Sequence, residues 1–104
     1  MIKGKVGKDL NIEQGKQAAK LCILNAIGHL KKHVGDLNTV KKCVKINGYI
    51  NSTEDFNEHP VLLNSASDIL VQIFGDKGIH ARAVVGVPSL PLNAAVEIET
   101  IFEV

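Results

Sequence analysis

The chain has 104 residues, 45% of them hydrophobic, with 12 basic and 11 acidic side chains and a formal net charge of +1. That length carries one compact domain, 1–104, and excludes two; the balanced charge excludes the basic footprint that nucleic acid or an anionic membrane surface demands. Aromatic residues are only 4% and Trp is absent, so the core must be built from Ile, Val, Leu and Ala, and a domain this small commonly gains buried area by oligomerising.

Residues 1–10 are short, Gly-rich and basic, consistent with a strand end followed by a loop. Asn11 has the form of a helix N-cap, with Gln14 three residues on as the reciprocal partner of a capping box. From Ile12 the apolar residues Ala19, Ile23, Ala26, Ile27, Leu30 and Val34 fall at helical spacing. Lys31, Lys32 and His33 suit the negative end of the helix dipole, and Gly35 is a natural stop. The spacing predicts a helix over 12–34.

A turn at 36–39 leads into a stretch of period two, 40–51. The alternation puts Val44, Ile46, Gly48 and Ile50 on one face and Cys43, Lys45, Asn47 and Tyr49 on the other. Gly48 inside it signals a bulge or the close approach of another backbone. After the polar stretch 52–59, Pro60 fits the first position of a second helix. Its stripe is Leu62, Leu63, Ala66, Ile69, Leu70, Ile73 and Phe74, ended by Gly75 and Gly78. Strands follow at 81–87 and 94–104 around a turn at 88–93.

This order implies an α+β fold: a mixed β-sheet with two helices packed on one face. The first two long strands should be parallel across a right-handed crossover, and the last two an antiparallel hairpin. Tyr49, Val84 and Ile101 would make the uncovered sheet face only partly polar, which points to a subunit interface.

The last two strands carry charges where buried strands rarely do. With the turn centred between Leu90 and Pro91, Arg82 would lie opposite Glu99 with Glu97 as its diagonal neighbour. A guanidinium grips a carboxylate in a bidentate fork, and a nearby carboxylate can deprotonate a water. The bland alternative is a solvated cross-strand ion pair. His29 and His33 have the i,i+4 spacing of a metal chelate, yet Cys22 lies about two turns away and no third ligand is evident, so no metal site is expected. His80 stands beside Arg82, where it could tune the pocket; the blander and preferred reading is a loop residue at the strand entrance. Asp36 and Asp68 read as turn and helix-surface residues.

Cys22 and Cys43 are 21 residues apart, without zinc-site or disulfide-framework spacing, and read as free thiols of a reducing compartment. No apolar stretch reaches membrane-spanning length, and the first ten residues lack the apolar segment of a signal peptide. A cytoplasmic location is the resulting expectation.

The segment HARAVVGVPSLPLNAAVEIE resembles the signature of the YjgF/Rid family of imine and enamine deaminases: an Arg opening a strand, an apolar alternation, a Leu-Pro turn and a V-E-I-E strand. The likeness continues upstream through NIEQGKQAAKLCILNAIGHLKKHVGDLNTVKKCVKINGYIN and HPVLLNSASDILVQIFGDKG, in wording closest to a divergent branch. The resemblance implies a chorismate-mutase-like homotrimer with clefts between subunits. It implies about two further strands ahead of this sequence, by ordinary strand and loop lengths. By resemblance Arg82 would bind the substrate carboxylate, Glu97 would position the attacking water, and Asn64 and Val84 would shape the pocket. Val84 stands where many deaminating members carry Cys, and Ala83 where Ser is common. The implied reaction is hydrolysis of 2-imino or enamino acids to 2-keto acids and ammonia, with no cofactor. The rival readings are a non-catalytic trimeric binder of small carboxylate metabolites with a regulatory role, and a purely structural interaction domain.

Overall fold

In a computed structural model all of residues 1–104 are described, and two helices lie on one face of a three-stranded mixed sheet. The first helix, α1 (Ile12–Val34), begins with the expected capping box: Asn11 Oδ1 accepts from the Gln14 amide and Gln14 Oε1 accepts from the Asn11 amide, both at 2.9 Å. It ends at Gly35, whose φ of 82° and N–H donated to the Lys31 carbonyl close the last turn. Ala18, Ala19, Ile23 and Ile27 are its buried stripe. β1 (Lys42–Asn51) follows a short 3-10 turn, then α2 (His59–Phe74), β2 (Ala81–Val87) and β3 (Val96–Glu103). No helix is long and apolar enough to cross a membrane.

The strand order is β2-β1-β3. β1 pairs parallel with β2, as expected, and antiparallel with β3. The expected β2–β3 hairpin does not form, because β1 lies between its two halves. The physical reason is in the connection. Residues 88–95 are longer than the two to five residues that close most hairpins, and they pass as an arch over the end of β1. Leu92 and Asn93 turn the arch with consecutive positive φ values of 58° and 57°.

Asn51, buried at the last position of β1, holds that arch. Its Nδ2 donates to Asn93 Oδ1 at 3.2 Å and to the Ala94 carbonyl at 3.3 Å, and its Oδ1 accepts from Lys5 Nζ at 2.8 Å. Lys5 also donates to the Pro88 carbonyl, so one polar hub joins the amino-terminal segment, β1 and the arch.

Register assigns each side chain to a face, since directly paired residues point the same way. Ile46, Gly48 and Ile50 pair with Arg82, Val84 and Gly86 on one side and with Thr100, Ile98 and Val96 on the other. This is the helix-covered face, and Ile46 and Ile50 are fully buried in the core with Ile23, Leu62, Leu63 and Leu70. Lys45, Asn47, Tyr49, Val85, Glu97, Glu99 and Ile101 form the opposite, open face. Val84 therefore belongs to the helix side, contrary to the sequence expectation, while Tyr49 and Ile101 do sit on the open face.

A second correction comes from a bulge. The β1–β3 register shifts between Cys43 and Lys45, adding one residue to β1. Cys43 is thereby turned into the core at 1% exposure and Val44 out to 40%, reversing the strict alternation. Gly48 marks a close approach by a side chain rather than a backbone: a Cβ there would fall 2.8 Å from Leu63 Cδ1.

The hub yields a stability prediction. Asn51→Ala removes one of the two acceptors of the Lys5 ammonium and the donor to Asn93 Oδ1 and the Ala94 carbonyl, and should cost about 2–4 kcal/mol. Urea denaturation measures it; a loss below about 0.5 kcal/mol would remove Asn51 as the clasp of the arch.

Candidate functional site

Arg82 is the second residue of β2 and projects toward α2. Its Nη1 donates to Ser67 Oγ at 3.2 Å and its Nη2 to the Pro60 carbonyl at 3.3 Å. Both acceptors are neutral. No carboxylate lies within 4.0 Å of the guanidinium; the chain's one ion pair at that distance is Lys16–Glu13. A guanidinium has five N–H groups; with two engaged, three remain for a ligand.

Pro60, Asn64 and Ser67 are spaced i, i+4, i+7, the spacing of one helix face. Asn64, exposed on α2, thus stands between the two groups that hold Arg82. Val84, two residues beyond Arg82, shares its side of the sheet and is half-buried beside Gly48. The structure therefore brings Arg82, Asn64 and Val84 to one neighbourhood.

Glu97 is not among them. It pairs in register with Tyr49 on β3 and is exposed on the open face. Glu99 accepts from Asn47 Nδ2 at 2.7 Å on that same face. Within one chain, Arg82 and the two glutamates are on opposite sides of the sheet with β1 between them. Neither the expected cross-strand constellation nor the solvated Arg–Glu pair exists, and the interposed strand is the reason.

Sequence reasoning missed Ser67 and undervalued His80. Ser67 Oγ lies 2.9 Å from His80 Nε2, and His80 Nδ1 lies 2.6 Å from the Gly78 carbonyl. The available signal was the polar run Asn64, Ser67 beside the apolar stripe of α2, at a spacing that faces the strand carrying Arg82.

Two other features lie elsewhere on the domain. A wide depression at the carboxyl end of β2 is lined by Lys5, Ser52, Phe56, His59, Gly86 and Pro88. There Ser52 Oγ is 3.1 Å from His59 Nε2, and a Cβ on Gly86 would press on both at 2.5–2.7 Å. An apolar groove between α1 and β3 contains Leu21, Cys22, Leu92 and Ile98. In it Cys22 Sγ donates to the Val96 carbonyl at 3.2 Å. Burial, and secondarily the negative charge of Glu97, push the Cys22 thiol above its ordinary value of 9.0. Burial likewise raises Cys43, partly offset by a hydrogen bond from the Lys45 backbone. His29 and His33 are exposed on α1, and no cluster of three metal-ligating side chains forms.

The raised thiol gives a pH prediction. A folded-state value above the unfolded one favours the folded state in full below the unfolded value of 9.0 and is lost as pH rises through the folded value. Removing the thiol in Cys22→Ala should therefore flatten the alkaline fall in stability, read from melting temperature against pH. Equal slopes in both proteins would contradict the assignment. At neutral pH, where the protonated thiol is a poor nucleophile, Cys22 should alkylate more slowly than an unfolded cysteine.

Comparison with known proteins places the chain in a family. A family model described as YjgF/chorismate mutase-like, putative endoribonuclease, matches residues 1–104. Protein TCP17 of Trypanosoma cruzi is 40% identical over 101 residues, covering 96% of this chain; the chain spans 63% of that relative's length. Among solved structures, the protein Atu1372 of unknown function from Agrobacterium tumefaciens superposes with a TM-score of 0.97 at 38% identity, over 100% of this chain and 68% of that one. A putative endoribonuclease from Shewanella oneidensis MR-1 superposes with a TM-score of 0.96 at 35% identity, over 100% and 69%.

Proposed function

The chain belongs to the YjgF/chorismate-mutase-like family, and from that premise we propose that it binds a small 2-oxo or 2-imino carboxylate through Arg82 and hydrolyses the imine in an oligomer, a trimer by family resemblance. The observation that carries this reading is a guanidinium held by two neutral acceptors with no carboxylate of its own. Such a group attracts a bidentate anion.

Because Glu97 lies across the sheet from Arg82 in the same chain, the water-activating carboxylate must come from a second copy. The mixed open face, with Tyr49, Val85 and Ile101 among polar groups, suits contact with that copy. Glu97 would take a proton from water as its oxygen bonds to C2 of the imine. Glu97 returns that proton to the nitrogen, and as the C2–N bond breaks the adduct's hydroxyl proton passes to the departing nitrogen, giving the 2-keto acid and ammonia. The imine carbon is already electrophilic, so the step calls for no cofactor.

A second reading, a non-catalytic binder of carboxylate metabolites, is favoured by Val84, which offers neither a thiol nor a hydrogen bond beside Arg82. Endoribonuclease action, the wording attached to the family and to the Shewanella protein, finds less support here, because a net charge of +1 supplies no basic track for a phosphate backbone.

The test follows decay of 2-iminopropionate generated in situ. The wild type should accelerate it, and Arg82→Ala should lose on the order of a hundredfold. A site shared between copies further predicts that inactive Arg82→Ala and Glu97→Gln proteins, reassembled together, recover roughly a quarter of the wild-type rate, from random pairing of one intact half-site with another. Hydrolysis without such recovery would overturn the shared site. Keto-acid binding without turnover would select the second reading, and no binding at all would end both.

A further inference from the structure

The bonds behind Arg82 form a directed chain. His80 Nδ1 lies 2.6 Å from the Gly78 carbonyl oxygen. A carbonyl can only accept, so Nδ1 carries the proton, and in the neutral ring Nε2 presents its lone pair. The Ser67 hydroxyl, 2.9 Å away, must then donate to Nε2. Its own lone pairs are thereby left to accept from Arg82 Nη1 at 3.2 Å. The far end is rigid: Gly78 is buried against α2 so closely that a Cβ there would overlap the Leu70 carbonyl.

We propose that Ser67 and His80 are positioning residues for Arg82, and that protonation of His80 strengthens carboxylate binding at the guanidinium. The inference rests on the reading of Arg82 as a carboxylate anchor. In the neutral state the relay fixes the guanidinium and spends the Ser67 proton on the ring. Protonation gives Nε2 an N–H, so it can no longer accept. The Ser67 oxygen then accepts from both His80 and Arg82, and its hydroxyl proton is freed to donate to a ligand oxygen. The imidazolium adds a positive charge within two hydrogen bonds of the guanidinium. Both changes favour an anion, so affinity rises as pH falls and binding takes up a proton.

The charged groups on the surrounding elements are Arg82 on β2, Asp68 on α2, Asp76 and Lys77 in the 75–78 turn, and Lys45 at the adjacent register position of β1. None of the carboxylates among them lies within 4.0 Å of the imidazole, so no local anion cancels its charge.

The experiment titrates the assembled protein with pyruvate by calorimetry at about pH 8 and about pH 5.5, spanning the window in which histidine side chains titrate. Wild type should bind about five- to tenfold tighter at the lower pH, the upper part of the range for one added net hydrogen bond. His80→Gln keeps an acceptor for Ser67 but no titrating ring. It should flatten the pH response while retaining more affinity at about pH 8 than His80→Ala, within the same histidine window. His59→Gln, at the other end of the α2 face, should leave the response intact. Equal wild-type affinity at both pH values, an undiminished response in His80→Gln, or a neutral His80 ring protonated at Nε2 in ¹⁵N spectra would each overturn the relay and leave the anchor standing. Absence of pyruvate binding at either pH, with the Nδ1–H tautomer intact, would instead strike the anchor itself and the relay's purpose with it.

Discussion

β1 lies between β2 and β3, and the geometry of the site depends on that placement. Strand side chains alternate with a period of two, so once one strand is paired on both edges, the facing of every residue on its neighbours is set. Ile46 must be buried, and its register partner Arg82 therefore points toward the helices. Tyr49 lies on the open face, and its partner Glu97 must accompany it there. A shift of one residue in the β1–β2 pairing would turn Arg82 to the open face, and one in the β1–β3 pairing would turn Glu97 toward the core. The buried Asn51 and its grip on the 88–95 arch oppose such a slip, because the arch sets where β3 begins.

Arg82 occupies an unusual electrostatic position. A half-buried cation commonly finds a carboxylate, whereas here a hydroxyl and a carbonyl share it. These neutral acceptors offset part of the desolvation cost and hold the group still, but they leave its charge uncompensated. On the other side of the sheet, Glu97 and Glu99 sit among Tyr49, Val85 and Ile101, a mixture too apolar for an inert surface and too polar for a core. One chain therefore carries Arg82 and Glu97 on separate faces of its sheet.

Much of the fold was legible in local pattern. The capping box at Asn11 and Gln14, the Gly35 stop and the stripe through Ile23 and Ile27 defined α1, because helix signals lie within a few residues of one another. Pro60 and the Leu62–Leu63–Ala66 spacing located α2 within a residue of its observed start. Asn64 and Val84 were singled out through the likeness to a family and not from spacing; register and helix spacing put them on the same side of the sheet as Arg82. The failures were non-local. Alternation put Cys43 outside and Val44 inside, and a single extra residue in β1 reversed them. Sequence adjacency made β2 and β3 a hairpin, and an insertion from elsewhere in the chain separated them.

Local chemistry by itself determined where helices begin and end, which strands are apolar, and that a cation and two carboxylates stand on the last two strands. The tertiary structure decided which strand came between them, and so which side of the sheet each charge occupies. It also decided that His80 and Ser67, thirteen residues apart, form one hydrogen-bonded relay behind Arg82. The division is physical: caps and stripes are satisfied within one or two turns of backbone, whereas strand order and hydrogen-bond partners across the sheet are selected only when the whole apolar surface closes at once.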